Sequence, residues 1–378
     1  MFKVGFGRSV LGLALCACVS ACGGDDGAVA TATAAKGPVQ SGSTTARTGG
    51  TSRSKASKCK DAPSSELKRF ERESLHDYGN GCSNTVLTWY IEGGTLNGAS
   101  TILLSQARFE KVNGKTTPLP ATLELLTQSD DGWTSSLLSD EEGVVFHKAI
   151  IHDNGILSIS AGKPKTDQKG HLKYWTLQDG EWSAETLWSA SWDGEKQRLR
   201  DFEIGDVDGD GEDEIVIATH DNGVIAVLDN ALTDDELIVQ ELDPKAKTYV
   251  HEIELGDVDG DGVPEFFATP SDPNKSKDTQ AGEVVMYRFQ AGEYVRSVVD
   301  STESTHAKEI LASDLDGDGV SEVFSAVEAQ KVAGQLKSKV EIRQFQFEAG
   351  APSGHQVVAT IDDEQLRFMV AHDFDGDG

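Results

Sequence analysis

Apolar and polar residues alternate in short runs from about residue 85 onward, and glycine, aspartate and asparagine break the runs. Alternation with a period of two puts one face of a strand in a core and the other in water. Across residues 200–242 the runs are Arg200–Ile204, Glu214–Thr219, Gly223–Leu228 and Leu237–Leu242. The next four are Val250–Leu255, Glu265–Thr269, Glu283–Phe289 and Tyr294–Val299. Then come Glu309–Ala312, Glu322–Val327, Lys339–Phe347 and His355–Ile361. Residues 144–190 give Val144–Ile151, Ile156–Ser160, His171–Leu177 and Ala184–Trp188. Residues 85–140 read as another set of four, and Leu366–Ala371 as the first strand of a sixth. Short turns between the runs predict antiparallel neighbours.

An acidic nonapeptide indexes these sets. Its copies are Asp206-Val-Asp208-Gly-Asp210-Gly-Glu212-Asp-Glu214, Asp257-Val-Asp259-Gly-Asp261-Gly-Val263-Pro-Glu265 and Asp314-Leu-Asp316-Gly-Asp318-Gly-Val320-Ser-Glu322. A fourth, Asp373-Phe-Asp375-Gly-Asp377-Gly378, is cut off before its ninth position. First-aspartate spacings are 51, 57 and 59 residues, and Asp153, in a shortened Asp-Asn-Gly turn, keeps the phase 53 residues before Asp206. A period of this size carrying four strands predicts an all-β fold, a β-propeller of four-stranded antiparallel blades. About five blades and a part fall within residues 85–378.

Carboxylates crowded into nine residues repel one another unless a cation is present. Oxygen donors at alternate positions suit Ca²⁺, which takes about 6–8 oxygens in flexible geometry. The aspartates at positions 1, 3 and 5 are the candidate side-chain ligands. Glu212, Val263 and Val320 at position 7 offer backbone carbonyls, and Glu214, Glu265 and Glu322 at position 9 offer a bidentate carboxylate. The glycines at positions 4 and 6 permit the positive φ of a tight wrap. Mg²⁺ resists dehydration, and the loops hold no His or Cys for Zn²⁺. An EF-hand needs an acid at position 12, where Ile217, Ala268 and Ser325 stand. The alternative is a set of solvated acidic turns without an ion.

These loops resemble the calcium loops of FG-GAP/VCBS repeats, the blades of integrin-α-like propellers. The resemblance covers residues 200–378 by motif and 85–199 by phase. It implies a Ca²⁺ loop between the first two strands of a blade, three complete sites and a truncated fourth. It also implies about seven blades in a full ring, so the sequence is expected to be a fragment. The Phe-Gly and Gly-Ala-Pro elements that name the family are absent, so an integrin-type role does not carry over.

The N-terminus reads as an address. Lys3 and Arg8 precede the apolar stretch Ser9–Ala21, too short to span a bilayer. Val19-Ser20-Ala21-Cys22 resembles a bacterial lipobox, with residues 1–21 as signal peptide and Cys22 as the lipidated residue; a plain signal peptide cut near Ala21 is the alternative. Residues 22–57, rich in Ala, Thr, Ser and Gly, read as a disordered tether. Residues 58–84 read as a short helical cap in which Cys59 and Cys82 form a disulfide or stay free.

The chain carries 63 acidic against 34 basic residues, net −29, which disfavours nucleic acid and anionic lipid surfaces. No nucleophile elbow, zincin motif, phosphate loop or dinucleotide fingerprint is present, so no catalytic residue is assigned. His147 and His152 alternate along one strand, and the plainer reading of both is structural. All six tryptophans lie in Trp89–Trp192; the aromatics at Trp133, Trp182 and Tyr294 follow equivalent hairpins, and packing is the plainer reading against a glycan platform. The expectation is an envelope-anchored or secreted Ca²⁺-binding propeller, a binding, display or adhesion module for a glycan or an extracellular protein. The alternative is part of a polysaccharide-active enzyme such as a lyase, or a scaffold for a catalytic domain beyond Gly378.

Overall fold

The computed structural model describes residues 86–371, apart from 114, 164–167, 193–196, 246, 274, 276 and 367. The signal, tether, cap, Cys22, Cys59, Cys82 and the loop Asp373, Asp375, Asp377 lie outside the described residues.

The described chain is all-β, with no helix among the described residues, and falls into five four-stranded antiparallel blades. Blade one is β1 (Val86–Leu96), β2 (Ala99–Val112), β4 (Ala121–Ser129) and β5 (Gly132–Asp140), with the short β3 (Lys115–Pro118) on the end of β2. Blade two is β6 (Val145–His152), β7 (Gly155–Ala161), β8 (Gly170–Gln178) and β9 (Glu181–Ala190). A single pairing, Ala107 with Val145, joins these two blades into one sheet. Blade three is β10 (Leu199–Gly205), β11 (Glu214–Thr219), β12 (Ile225–Asp229) and β13 (Ile238–Leu242). Blade four is β14 (Tyr249–Gly256), β15 (Glu265–Ser271), β16 (Gly282–Gln290) and β17 (Glu293–Thr302). Blade five is β18 (Ala307–Ser313), β19 (Glu322–Val327), β22 (Val340–Glu348) and β23 (Ala351–Ile361). A small hairpin, β20 (Lys331–Val332) with β21 (Gln335–Leu336), is inserted after β19 and was not expected from the pattern.

The apolar faces meet between blades, which is why the second strands are buried throughout. Leu157, Ile159 and Leu172 of blade two pack on Phe202, Ile215 and Ile217 of blade three. Val216, Ala218 and Val227 of blade three pack on Ile253, Phe266 and Val285 of blade four. Phe267, Val284 and Met286 then pack on Ile310, Val323 and Phe345 of blade five. The innermost strands follow one another as β1, β6, β10, β14 and β18, and β18 does not pack extensively on β1.

The expected sixth-blade strand at Leu366–Ala371 is not formed: the described residues there have no strand pairing. The main pairing of each innermost strand is with the second strand of its own blade, and no such strand follows Ala371 among the described residues. Leu366 and Met369 nevertheless pack against Phe324, Ala326 and Ile342, on the face where a next blade would sit. The Met369 N–H donates to Glu309 Oε1 at 3.1 Å.

Candidate metal centres

Each complete acidic nonapeptide joins the first strand of a blade to its second, as the pattern predicts. Antiparallel pairing runs to the lip of each loop: Gly205 opposite Glu214, Gly256 opposite Glu265, Ser313 opposite Glu322. The first aspartate holds the loop in shape. Asp206 Oδ1 accepts from the N–H groups of Gly209 (2.7 Å) and Asp210 (3.0 Å), and Oδ2 from Gly211 (3.0 Å). Asp257 accepts from Gly260 and Gly262 at 2.6 and 2.8 Å, and Asp314 from Gly317 and Gly319 at 2.8 and 2.9 Å. The wrap needs left-handed backbone at both glycines, for example φ 79° at Gly209 and 98° at Gly211. The ninth residue closes the loop from below: one oxygen of Glu214, Glu265 and Glu322 accepts the N–H of Val207, Val258 and Leu315 at 2.9, 3.0 and 2.9 Å. At position 5, Asp210, Asp261 and Asp318 each accept from the N–H of Glu212, Val263 and Val320 at 2.9 Å.

The carboxylates converge. Oxygens of Asp206, Asp208 and Asp210, of Asp257, Asp259 and Glu265, and of Asp314, Asp316 and Glu322 lie within 4.8 Å of one another in their three groups. Convergence is unfavourable for the bare loop. Burial, then the loop aspartates, push Glu214 up to about 7. Burial likewise raises Glu265, Glu322 and Asp208, although a backbone N–H bond opposes it in each. Glu214 is 1% exposed, and its second oxygen, Oε1, is buried with no hydrogen-bond partner. Three converging aspartates offer oxygens that a hard cation takes; Glu214 is outside that group of three and keeps its buried oxygen unpartnered at the end of the same loop.

Position 7 does more than offer a carbonyl. Val263 packs over Gly209 of the preceding loop, where a Cβ would lie 2.9 Å from Val263 Cγ2, and Val320 sits over Gly260 in the same way. The loops therefore touch from blade to blade. The shortened turn at Asp153 keeps the phase but is a two-residue hairpin, with His152 opposite Gly155 and Asp153 at φ 51°.

A second constellation lies on the innermost strands, and sequence reading missed it. Five residues before each first aspartate stand Lys148, Asp201, Glu252 and Glu309; three before stand Glu203 and Glu254. Lys148 Nζ lies 3.0 Å from Asp201 Oδ1, also contacts Glu203, and sits 5.2 Å from the centre of the Tyr90 ring. Asp201 Oδ2 accepts the Ile253 N–H at 2.8 Å, and Arg200 reaches Glu252 at 3.2 Å, so these groups tie blades two, three and four together. Burial raises Glu203, Glu252 and Glu254, and raises Glu309 to about 8. The signal was available in the same phase count that located the loops.

Alongside runs a row of buried histidines. His220 and His251 have ring centres 5.3 Å apart, and His251 and His306 5.0 Å apart. Burial, then Arg198 beside His220 and Lys308 beside His306, lowers both rings to about 3. His147 is buried against Arg200 and Trp89, whereas His152 is half-buried beside Asp153, so the two do not form one site. A half-open cleft of about 360 Å³ near His152 is lined by Asp153, Tyr174, Glu185, Thr233 and Asp234, without a nucleophile and base in contact. Each tryptophan is buried or half-buried. Trp182 packs on the core between blades one and two, and Tyr294 lies 5.4 Å from Phe266, in keeping with the packing reading.

Among solved structures, an α-L-arabinofuranosidase from Clostridium thermocellum is 12% identical with a TM-score of 0.34, over 74% of this chain and 95% of that one. A putative 6-phosphogluconolactonase from Bacteroides uniformis is 8% identical with a TM-score of 0.34, over 72% of this chain and 86% of that one. Comparison with curated protein sequences finds no match. The model of an FG-GAP-like repeat matches residues 206–268, which span the first acidic loop, all of blade three beyond it, and the second loop with the start of its following strand.

Proposed function

We propose that this protein is a Ca²⁺-stabilised β-propeller that serves as a binding or display module. The observation that carries the cation is the convergence of Asp206, Asp208 and Asp210, with the buried, unpartnered Glu214 Oε1 on the residue that ends the same loop. Asp206, Asp208, Asp210 and Glu214 hold the ion in the first loop, with the Glu212 carbonyl as a further donor. Asp314, Asp316, Asp318 and Glu322 do so in the third, with the carbonyl of Val320. The bound cation neutralises the mutual repulsion of these carboxylates and pins the first two strands of the blade. The test is thermal unfolding: chelation lowers Tm, and Ca²⁺ restores it better than Mg²⁺. Each site stabilises by about 2.7 kcal/mol at a free Ca²⁺ concentration one hundred times Kd. A melt indifferent to chelator and to both ions rejects the proposal.

The same reading places the module at a bacterial envelope, tethered through a lipidated Cys22, facing a glycan or an extracellular protein. Its support is the lipobox-like run before Cys22 and the polar stretch after it. Mass spectrometry of the mature N-terminus decides it: an unmodified Cys22 overturns the anchor.

A polysaccharide-active enzyme is the second reading. The observation that favours it is the set of inward carboxylates, because Glu309, with a value raised to about 8, keeps a proton to donate at neutral pH. Loss of hydrolysis or elimination on an acidic polysaccharide in an E309Q variant supports it, and absence of any turnover by the wild type removes it.

A further inference from the structure

The three loops share their aspartates, glycines and final glutamate and differ in what faces them. Directly across from the ninth-position glutamate, on the third strand of its blade, stands one residue that the pairing register identifies. Ile215 pairs with Leu228, Phe266 with Tyr287 and Phe324 with Gln344. Continued toward the loop, by one step in blades three and four and two in blade five, the same registers set Glu214 against Asp229, Glu265 against Arg288 and Glu322 against Gln346. So the first loop is faced by an acid, the second by a base and the third by a neutral amide.

Arg288 does not merely lie nearby. Its Nε is 2.5 Å from Glu265 Oε1, and its Nη2 is 3.1 Å from Asp259 Oδ2. Those carboxylates are two of the three that converge in the second loop. Glu265 Oε1 is the counterpart of the oxygen that stays unpartnered on Glu214. The guanidinium is also seated from outside. Its Nη2 donates to the Gly350 carbonyl at 3.0 Å, in the hairpin of blade five, and a Cβ on Gly350 would lie 2.1 Å from that nitrogen. At the first loop, by contrast, the register sets the acid Asp229 across from Glu214.

We propose that Arg288 stands in for the metal ion in the second loop, so that blade four closes its acidic turn without Ca²⁺ while blades three and five require it. This rests on the Ca²⁺ reading of the first and third loops. A fixed guanidinium and a divalent cation cannot share these carboxylates without mutual repulsion, and the planar fork of arginine is suited to bridging two of them. The residue across from the ninth-position glutamate thereby sets the order of affinity: first loop, third loop, second loop.

The experiment is Ca²⁺ titration of the decalcified full chain by calorimetry, comparing wild type with R288Q, Q346R and D259N. R288Q gives blade four the amide that blade five has, and is expected to add one bound Ca²⁺ per chain. Q346R is expected to remove one, or to weaken it at least tenfold. D259N in the wild-type background leaves the count unchanged. Loss of one Ca²⁺ in D259N, or no added Ca²⁺ in an R288Q protein that melts cooperatively, overturns the proposal. If R288Q fails to fold, D259N and Q346R still decide. Wild-type protein that binds no Ca²⁺ at all sinks the structural-calcium reading separately, and R288Q then remains the test of whether Arg288 blocks the loop.

Discussion

Replacing Lys148 by methionine removes the positive charge that joins blade two to blade three. The ammonium lies 3.0 Å from Asp201 Oδ1 and in contact with Glu203, and the Lys148 and Asp201 side chains are 6% and 5% exposed. Burial alone would lower the lysine; Asp201 and Glu203 outweigh it and hold the group above its ordinary value. At 3.0 Å and an effective dielectric near 20, the gross attraction of one such pair is about 5–6 kcal/mol, part of which only offsets desolvation. Removing one partner of a buried pair costs about 3–5 kcal/mol, because the other is left charged and dry. Asp201 cannot turn away, since its oxygens also accept the N–H groups of Phe202 (3.0 Å) and Ile253 (2.8 Å). At about 2–4 °C per kcal/mol for a domain of this class, K148M lowers Tm by roughly 6–20 °C. Urea unfolding, which adds no ionic screening, measures it. The K148M deficit shrinks as the pH falls, when Glu203, which burial already raises, binds a proton, and K148M/D201N is less destabilised than K148M alone. A loss below about 1 kcal/mol in K148M, or strict additivity in the double variant, refutes the argument.

Glu309, 8% exposed and raised to about 8 by burial, with Asp201 adding to it and Arg200 and Lys148 opposing, binds a proton in the folded state that the unfolded chain has released. Its stabilisation is therefore full below the ordinary value of 4.5 and lost as the pH rises through about 8; E309Q, which keeps an acceptor for the Met369 N–H, flattens that limb of a pH–stability curve. Phe266 is fully buried, stacked 4.8 Å from Tyr287, and F266A costs about 3–5 kcal/mol by chemical denaturation. G350A forces a Cβ toward Arg288 at 2.1 Å and a side chain onto φ 72°; it lowers Tm, and by less in an R288Q background.

The blades were legible because two signals coincide in them. Alternation marks each strand, and the nonapeptide marks where the first strand ends, so even the four strands around Asp153, with no loop to mark them, were found by phase. The hairpin at Lys331–Leu336 was not, since strands of two residues carry no periodicity. Leu366–Ala371 reads like a first strand from its side chains alone. Pairing needs a second strand, however, and burial of Leu366 and Met369 on blade five accounts for their apolar character without one. Ligands within one loop were readable because the loop is local. Asp229, Arg288 and Gln346 were not singled out, because only the register of a third strand, between 15 and 24 residues downstream of the loop's last residue, carries them to the site.

That difference in range explains how three loops of one pattern can have three electrostatic settings. The nonapeptide fixes backbone geometry, and its aspartates and glycines are spent largely on hydrogen bonds within the loop, as Asp206 is on Gly209, Asp210 and Gly211. Cation affinity depends on the oxygens left over and on the nearest fixed charge, neither of which the motif itself determines. Glu214 has an oxygen left over and Asp229 across from it; Glu265 has Arg288 on the corresponding oxygen. An acidic loop of this pattern is thus evidence for a turn between the first two strands of a blade. It becomes evidence for a bound ion only when the residue facing its final glutamate is not itself a cation.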